Sequence, residues 1–410
     1  MKYSVLVGQS GGPTSVINAS LAGIVIEGLK NENIDKVYGT LNGIDGIINK
    51  NIIDFSYENE DTLELLKTTP SSILGSVRYK LKDFEIDETD YIKIKEVFEQ
   101  LNIKYFFYIG GNDSMDTCNK IHKYFSKINF DCKVIGIPKT IDNDLILTDH
   151  TPGYGSSIKY ISTVMAEISE DISCYRKGKV TIVEIMGRDA GWLTAGAKLA
   201  CLANEGPDLI YLPEVPFNID NFLNKVNDIY NQKGHVLIAV SEGIKDSKDK
   251  YILSYQTSNS TDNFGHLQLG GVSQVLTSIV SSKLGLPTRN IELNLPQRCA
   301  SHIASLTDIE EAYNCGKYGL LFAIKGNSGK MISMKRLGTT SYEITYEAVD
   351  LDKVANQIKI VPSNYISEDF DNITSEFIEY ALPLIQNEAN IPYQNGIPKF
   401  AKLQKHIIKF

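Results

Sequence analysis

The sequence predicts two doubly wound α/β domains. Three observations carry that reading. The chain has 410 residues, more than one hydrophobic core usually serves. Short apolar, β-branched runs alternate with stretches of helical periodicity through both halves, the pattern of parallel sheets covered by helices. Several of those runs end in glycine-rich turns, near residues 11, 110 and 187, where a strand hands over to other structure.

In chain order, residues 3–8 read as a first strand, Gln9-Ser10-Gly11-Gly12-Pro13 as a glycine-rich turn, and Thr14 to Leu29 as a helix. Lys36 to Gly39 begins a second strand, followed by a loop over Asn42 to Gly46. Ser71 to Arg78 is a polar loop ending in Arg, the side chain suited to bidentate phosphate contacts, although an ordinary surface Arg fits equally well. Tyr91 to Leu101 reads as a helix and Tyr105 to Ile109 as a buried strand. Gly110-Gly111-Asn112-Asp113-Ser114 then opens another helix and repeats the arrangement of the first turn.

His150 to Ser157 is Gly/Ser-rich and marks an expected domain boundary. The rhythm then repeats: helix Ile158 to Cys174, strand Val180 to Ile185, strand Leu209 to Leu212, helix Asn218 to Asn231, strand Val236 to Val240. Residues 246–271 are polar and poor in pattern, and read as loop with some helix. Strand-like alternation fits Asn290 to Leu295. The helical 308–325 region and the alternating Ser341 to Ala348 are expected to return to the first domain, and the last 40 or so residues to be helical before a Pro/Gly-containing tail. The expected division is 1–153 plus 300–410 for a larger domain and 154–299 for a smaller one.

Composition bounds the function. Hydrophobic residues make up 42% and charged residues 22%, ordinary for a globular enzyme. Net charge is −9 with no Lys/Arg block, which argues against nucleic acid or an acidic membrane surface as a partner. The first apolar run is too short for a signal peptide and no run reaches the roughly 18 residues of a membrane span, so a cytoplasmic location is expected. The six cysteines form no C-x-x-C pair and read as scattered buried thiols.

The chemistry concentrates in Gly136-Ile137-Pro138-Lys139-Thr140-Ile141-Asp142-Asn143-Asp144. Lys133 to Ile137 reads as a buried strand that Pro138 stops. A Lys, a Thr hydroxyl and two carboxylates follow within six residues, at a strand end where an open parallel sheet binds ligands. A base, an anion holder and a cation holder at one place suit phosphoryl transfer, which is mostly positioning and charge stabilisation. The plainer alternative is a polar strand exit with a solvated charge pair.

Taken together, the residues resemble a known family. The Gly-Gly near residue 11, Gly110 to Ser114, Pro138 to Asp144, Met186-Gly187-Arg188, Ser241-Glu242-Gly243 and Arg289 with Gln297-Arg298 stand in the order and spacing of the 6-phosphofructokinases. The resemblance covers roughly residues 3 to 330 and is strongest to the pyrophosphate-dependent branch. It implies two Rossmann-like domains with the active site in the cleft between them. Asp113 stands where ATP-using members typically have Gly, and would crowd and repel the α-phosphate and nucleoside of ATP. Lys139 stands where those members also have Gly, and would add a cation for pyrophosphate.

The resemblance further implies roles for single residues. Asp142 is the expected base for the C1 hydroxyl of fructose 6-phosphate, with Lys139 and Arg188 stabilising the transferring group. Gly12, Arg78, Gly111, Asp113 and Thr140 would border the donor. Thr140, Lys179, Met186, Gly187, Arg188, Glu242, Arg289 and Arg298 would join Asp142 around the sugar phosphate. Mg²⁺ is the implied cofactor, with Asn112, Asp113 and Asp144 as its candidate ligands. Lys179 and Arg289 fall where the family supplies the 6-phosphate with cations from a neighbouring subunit, so a homodimer with a shared site is expected, and a tetramer is compatible.

Departures from the pattern are Pro13-Thr14-Ser15-Val16 in the first turn, Asn112 in place of an acid, Lys179 in place of Arg, and Leu295 in place of a sugar-binding His. His302 is only a nearby candidate, for which a bland surface or core position is the plainer reading. Competing readings are an ATP-dependent enzyme, a relative acting on sedoheptulose 7-phosphate, a non-catalytic regulatory subunit, and a dinucleotide oxidoreductase. The last lacks the fingerprint glycines and the ribose-binding acid.

Overall fold

The computed structural model describes residues 2–255, 271–338 and 341–410. Among them run eleven strands of two open sheets, and a short hairpin pairs Tyr393–Gln394 with Ile397–Pro398. The larger sheet holds β1 (Tyr3–Gln9), β2 (Ile34–Thr40), β3 (Ile52–Asp54), β4 (Ile103–Gly110) and β5 (Lys133–Pro138). The smaller sheet holds β6 (Val180–Ile185), β7 (Leu209–Tyr211), β8 (Val236–Ser241) and β9 (Thr288–Glu292). The chain then returns to the larger sheet with β10 (Lys330–Leu337) and β11 (Glu343–Asp350).

The larger sheet runs β11-β10-β5-β4-β1-β2-β3. Its five central strands are parallel, and both edge strands are antiparallel. Most of β1, β4 and β5 is buried, which explains their unbroken apolar runs. From β1 the chain goes one way to β2 and later returns on the other side through β4. The exits of β1 and β4 therefore flank a topological switch point, where such sheets bind ligands. The smaller sheet, β7-β8-β6-β9, is parallel throughout.

The helix Leu306–Ile324 explains why a late segment rejoins the first domain. It packs on the helix Ile17–Lys30 so closely that a Cβ on Gly23 would lie 2.0 Å from the Tyr313 carbonyl oxygen, and one on Gly316 2.0 Å from that of Ser20. Only glycine permits that approach.

Several expected elements differ. Gly43–Ile48 is a short helix, not a loop. His150 to Ser157 is buried and belongs to a helix start: Asp308 accepts from the Gly153 N–H at 2.8 Å and the Ser156 N–H at 2.9 Å, capping the helix Tyr154–Ser173. The alternation over Asn290 to Leu295 is only partly strand, because β9 ends at Glu292 and the short helix Pro296–Cys299 follows soon after. The C-terminal 40 residues are helical only over Ser375–Ile385, and the rest is extended or irregular. Val361, Ile373, Phe377, Ala381 and Leu384 share a core cluster with Val183, Ile185 and Ala239, so this stretch packs toward the smaller sheet. The tail beyond it crosses back and pairs with the edge of β3, through Asp54 N–H to His406 O at 3.1 Å and Ile408 N–H to Ile52 O at 2.9 Å. Residues 246–271 lie mostly outside the described residues; within the described part, Ile252–Tyr255 forms one helical turn. Cys118, Cys132 and Cys315 are buried, but Cys174 is exposed. Among the described residues no helix is long and apolar enough to cross a membrane.

Below the switch point lies a buried polar cluster. The His150 ring nitrogens meet Asp149 Oδ1 at 2.8 Å and Glu311 Oε2 at 2.6 Å. Arg336 Nη2 donates to Asp149 Oδ1 at 2.9 Å, and the Tyr342 hydroxyl donates to Glu311. Burial alone would depress the imidazole pKa, but Glu311 and Asp149 outweigh it and hold the ring cationic up to about 9. The folded value lies above the ordinary 6.5. The stabilisation is therefore fully present below pH 6.5 and lost as pH rises through about 9. Replacing His150 by Ala leaves two acids facing one another and is expected to cost about 3 kcal/mol at pH 6 in urea unfolding. The deficit should shrink at pH 9.5; an equal deficit at both values would show that packing, not charge, is at stake.

Candidate active site

Three strand exits converge at the switch point. The first turn, Ser10 to Pro13, follows β1, and Ser10 N–H donates to the Ile109 carbonyl at 2.9 Å, tying it to β4. The exit of β4 leads through Gly110-Gly111 into the helix Asn112–Lys127, whose N-terminal N–H groups and dipole favour an anion. The exit of β5 is Lys139 to Asp144. The polar loop at residue 71 closes the side: Ser71 N–H donates to the Thr14 carbonyl at 2.9 Å and Ser76 Oγ to that of Gly11 at 2.6 Å.

Lys139 joins the first and third exits. Its side chain is buried, and Nζ donates to the Gly12 carbonyl at 2.7 Å. Gly11 sits at φ 74°, a conformation that favours glycine, and a Cβ there would lie 3.2 Å from that Nζ. Burial lowers the Lys139 pKa to about 8, against the pull of Asp142 and Asp144 and with the push of Arg298. An arriving phosphate would raise it again and fix the charge. Arg298 stands on the same side, since a Cβ on Gly12 would lie 3.5 Å from its Nη1.

Thr140 Oγ1 accepts from the Asp142 N–H at 3.1 Å and lies 3.3 Å from Asp142 Oδ2. Burial raises the Asp142 pKa, and the Thr140 hydroxyl, Lys139 and Arg188 draw it back. A carboxylate moved toward neutrality is a better proton acceptor at the working pH than an ordinary Asp. Burial, then the charge of Asp142, raises Asp144 to about 7. Asn112 Nδ2 is 3.4 Å from Asp144 Oδ2, and Asn112 Oδ1 is buried without a partner. A carboxylate short of positive charge beside an orphaned amide oxygen fits a hard divalent cation that takes its other ligands from phosphate and water. No cluster of three or more His, Cys, Asp or Glu suited to a metal occurs among the described residues. Asp113 is exposed on the first turn of the helix.

The opposite wall comes from the smaller sheet. Gly187, at φ 130°, turns the chain sharply after β6. Its N–H donates to Glu242 Oε1 at 3.2 Å, while the Met186 N–H donates to Gln297 Oε1 at 3.2 Å. Burial lifts Glu242 to about 7; the Gly187 N–H and Arg188 oppose this, and Glu184 and Asp142 add to it. Arg188 Nε pairs with Asp189 Oδ2 at 2.8 Å, a partner the sequence did not suggest. Lys179 and Arg289 are exposed and lie far from this wall. They sit at the start of β6 and on β9, where Thr181 aligns with Arg289, a strand length, about 20 Å, from Met186. Within one chain they are not brought to the cleft. Arg78 is exposed at the end of its loop, His302 is exposed, and Leu295 is 54% exposed.

Sequence reasoning missed Gln297 as a ligand of the 186 turn. It also missed Lys359 and Tyr380, which bond to Asn143. Neither lies in a motif, and only a fold brings them there.

Residues 4–291 match the family profile described as Phosphofructokinase. The chain belongs to the phosphofructokinase family. It is 40% identical to a pyrophosphate–fructose 6-phosphate 1-phosphotransferase of Halomonas elongata, over 100% of this chain and 98% of that one. It is 38% identical to a protein of the same name from Methylococcus capsulatus, over 96% and 94%. A crystal structure of a pyrophosphate-dependent phosphofructokinase from Nitrosospira multiformis superposes with a TM-score of 0.90 at 36% identity, covering 99% of this chain and 98% of that one. The two-sheet architecture is thus the phosphofructokinase fold.

Proposed function

We propose that this phosphofructokinase-family protein moves a phosphoryl group from pyrophosphate to the C1 hydroxyl of fructose 6-phosphate. The products are fructose 1,6-bisphosphate and phosphate. The observation that carries the reading is the buried Lys139 ammonium, held on the Gly12 carbonyl of the first turn, one turn of chain from the Asp142 carboxylate. The full-length relatives named above for pyrophosphate and fructose 6-phosphate support it.

The donor lies against Gly12, Gly111 and the start of the helix Asn112–Lys127, with Lys139 neutralising the phosphate that leaves and Arg78 at the rim. Asp113, on the first helical turn, disfavours a nucleoside by bulk and charge. Asp142 takes the C1 hydroxyl proton as the oxygen attacks, and Thr140 keeps that carboxylate in place. Met186, Gly187, Glu242 and Arg298 hold the sugar phosphate, and Arg188 meets charge developing on the moving group. Asp144 and Asn112 Oδ1 would hold Mg²⁺, which would supply positive charge against the phosphates. Lys179 and Arg289 reach the 6-phosphate of a neighbouring chain, so the working unit is at least a homodimer. The larger domain carries the donor and the smaller one the sugar, in the cytoplasm.

The bond broken and the ester formed differ less in free energy than with ATP, so the reaction runs both ways, in glycolysis and gluconeogenesis. The test is product formation from fructose 6-phosphate and Mg²⁺ with either pyrophosphate or ATP. Turnover with pyrophosphate alone is expected, together with pyrophosphate release from fructose 1,6-bisphosphate and phosphate. Turnover with ATP would sink the donor assignment and leave the sugar side standing.

A further inference from the structure

The turn between the two acids is held from outside the motif. Asn143 separates Asp142 from Asp144 at φ 53°, in the left-handed region, and is completely buried. Asn tolerates that conformation better than most residues, but the turn still needs support. Both ends of its amide are taken. Oδ1 accepts from Lys359 Nζ at 3.0 Å, and Nδ2 donates to the Tyr380 hydroxyl oxygen at 2.9 Å. Lys359 directs its remaining protons at the carbonyls of Asp149, 2.9 Å, and Thr148, 3.3 Å. The Tyr380 hydroxyl also donates to the Asp149 carbonyl at 2.9 Å. All three ammonium protons thus point at the loop, and none is left for a phosphate.

The same segment fastens the other wall. Lys359 N–H donates to the Asp144 carbonyl at 2.8 Å, and its own carbonyl accepts from Trp192 Nε1 at 2.8 Å. Val361 N–H donates to Glu214 Oε1 at 3.0 Å, and that oxygen also accepts from the Gly191 N–H at 2.8 Å. Residues 359–361 therefore tie the catalytic turn to the β6 exit that carries Arg188.

We propose that Lys359 and Tyr380 are positioning residues for phosphoryl transfer, acting through Asn143 to fix the turn that sets Asp142 and Asp144 in the cleft. Neither touches substrate. The inference rests on the phosphotransfer reading above, because it assigns the two acids their tasks.

The experiment is a cycle of full-length variants, Tyr380→Phe, Asn143→Ala and the double, with Lys359→Met and Lys359→Arg beside them. Tyr380→Phe removes one oxygen and keeps the ring against Trp192 and Tyr365, so it opens no cavity. A displacement of about 1 Å costs on the order of 100-fold in rate. We expect kcat to fall about 10-fold in Tyr380→Phe and about 100-fold in Lys359→Met, with KM for the sugar phosphate within about threefold and part of the rate restored in Lys359→Arg. The double variant should be no slower than Asn143→Ala alone, because both changes act through one side chain. Multiplying losses, or an unchanged kcat in Tyr380→Phe, would overturn the inference. If Lys359→Met does not fold, the Tyr380–Asn143 cycle decides by itself. If wild-type protein ignores pyrophosphate, the functional reading fails separately, and the cycle is read with whichever donor the wild type uses.

Discussion

Replacing Asp142 by Ser is expected to lower kcat by about 10³–10⁴-fold, with KM for fructose 6-phosphate close to the wild-type value. The size follows from what a positioned base contributes. The small effect on KM follows from the proposed assignment, in which Asp142 faces the reacting hydroxyl while Glu242, Met186 and Arg298 carry the binding. Burial and the charges around Asp142 tune its proton affinity for this task, and Ser at that place can neither take the proton nor hold the charge. Steady-state kinetics with both substrates varied will read the split. Loss of sugar binding at unchanged turnover would mean that Asp142 shapes the pocket and does not do chemistry. The fold should tolerate the change, because removing a buried carboxylate whose pKa is raised also removes its desolvation cost.

Replacing Lys139 by Met is expected to lower kcat/KM for pyrophosphate by about 10²–10³-fold, the usual cost of removing a preorganised charge-stabilising donor. Sugar affinity, measured by direct binding, should stay within about threefold, since the Lys139 ammonium is held on the Gly12 carbonyl of the first turn. Met keeps most of the buried volume and removes only the ammonium, so the Gly12 carbonyl loses a partner while the packing survives. Asp113→Gly is the companion variant. If exclusion of the nucleotide lies in that one side chain, it should acquire turnover with ATP, whereas Lys139→Met alone should not. An undiminished rate with pyrophosphate in Lys139→Met would remove Lys139 from the donor site.

Much of this molecule could be read from its amino acids, for identifiable reasons. β6 begins and ends where its β-branched run does, as expected of a strand buried along its whole length, and its one carboxylate, Glu184, is taken up by the Gly271 and Ser273 N–H groups. The glycine turns were visible because close approach of backbone to ligand or helix leaves no choice of residue. The helix Gly43–Ile48 was hidden by the same rule: Gly46 reads as a loop marker, yet its missing Cβ would lie 1.8 Å from the Leu41 carbonyl oxygen. The stretch from His150 was hidden because its cap, Asp308, is 155 residues away from Gly153 in the chain. Lys359 was invisible for a like reason, being 216 residues from the Asn143 it supports. Motif spacing reports local geometry and is silent about partners that tertiary structure delivers. Lys179 and Arg289 show the converse, since their place in the sequence is informative only if a second chain completes the site.

The interleaving of the two sheets also has a temporal side. β5 has no neighbour on its outer edge until Lys330 and Met331 pair with Ile135 and Gly136. On a ribosome adding ~5–20 residues per second, that leaves the edge open for about 10–40 s after β5 has emerged. The four strands of the smaller sheet, from Val180 to Glu292, are all synthesised within that interval. The smaller sheet therefore has its full complement of strands while the larger one still waits for its last two. The nascent chain carries an unpaired apolar edge for tens of seconds, which makes its maturation slow, dependent on long-range contacts, and exposed to intermolecular strand pairing.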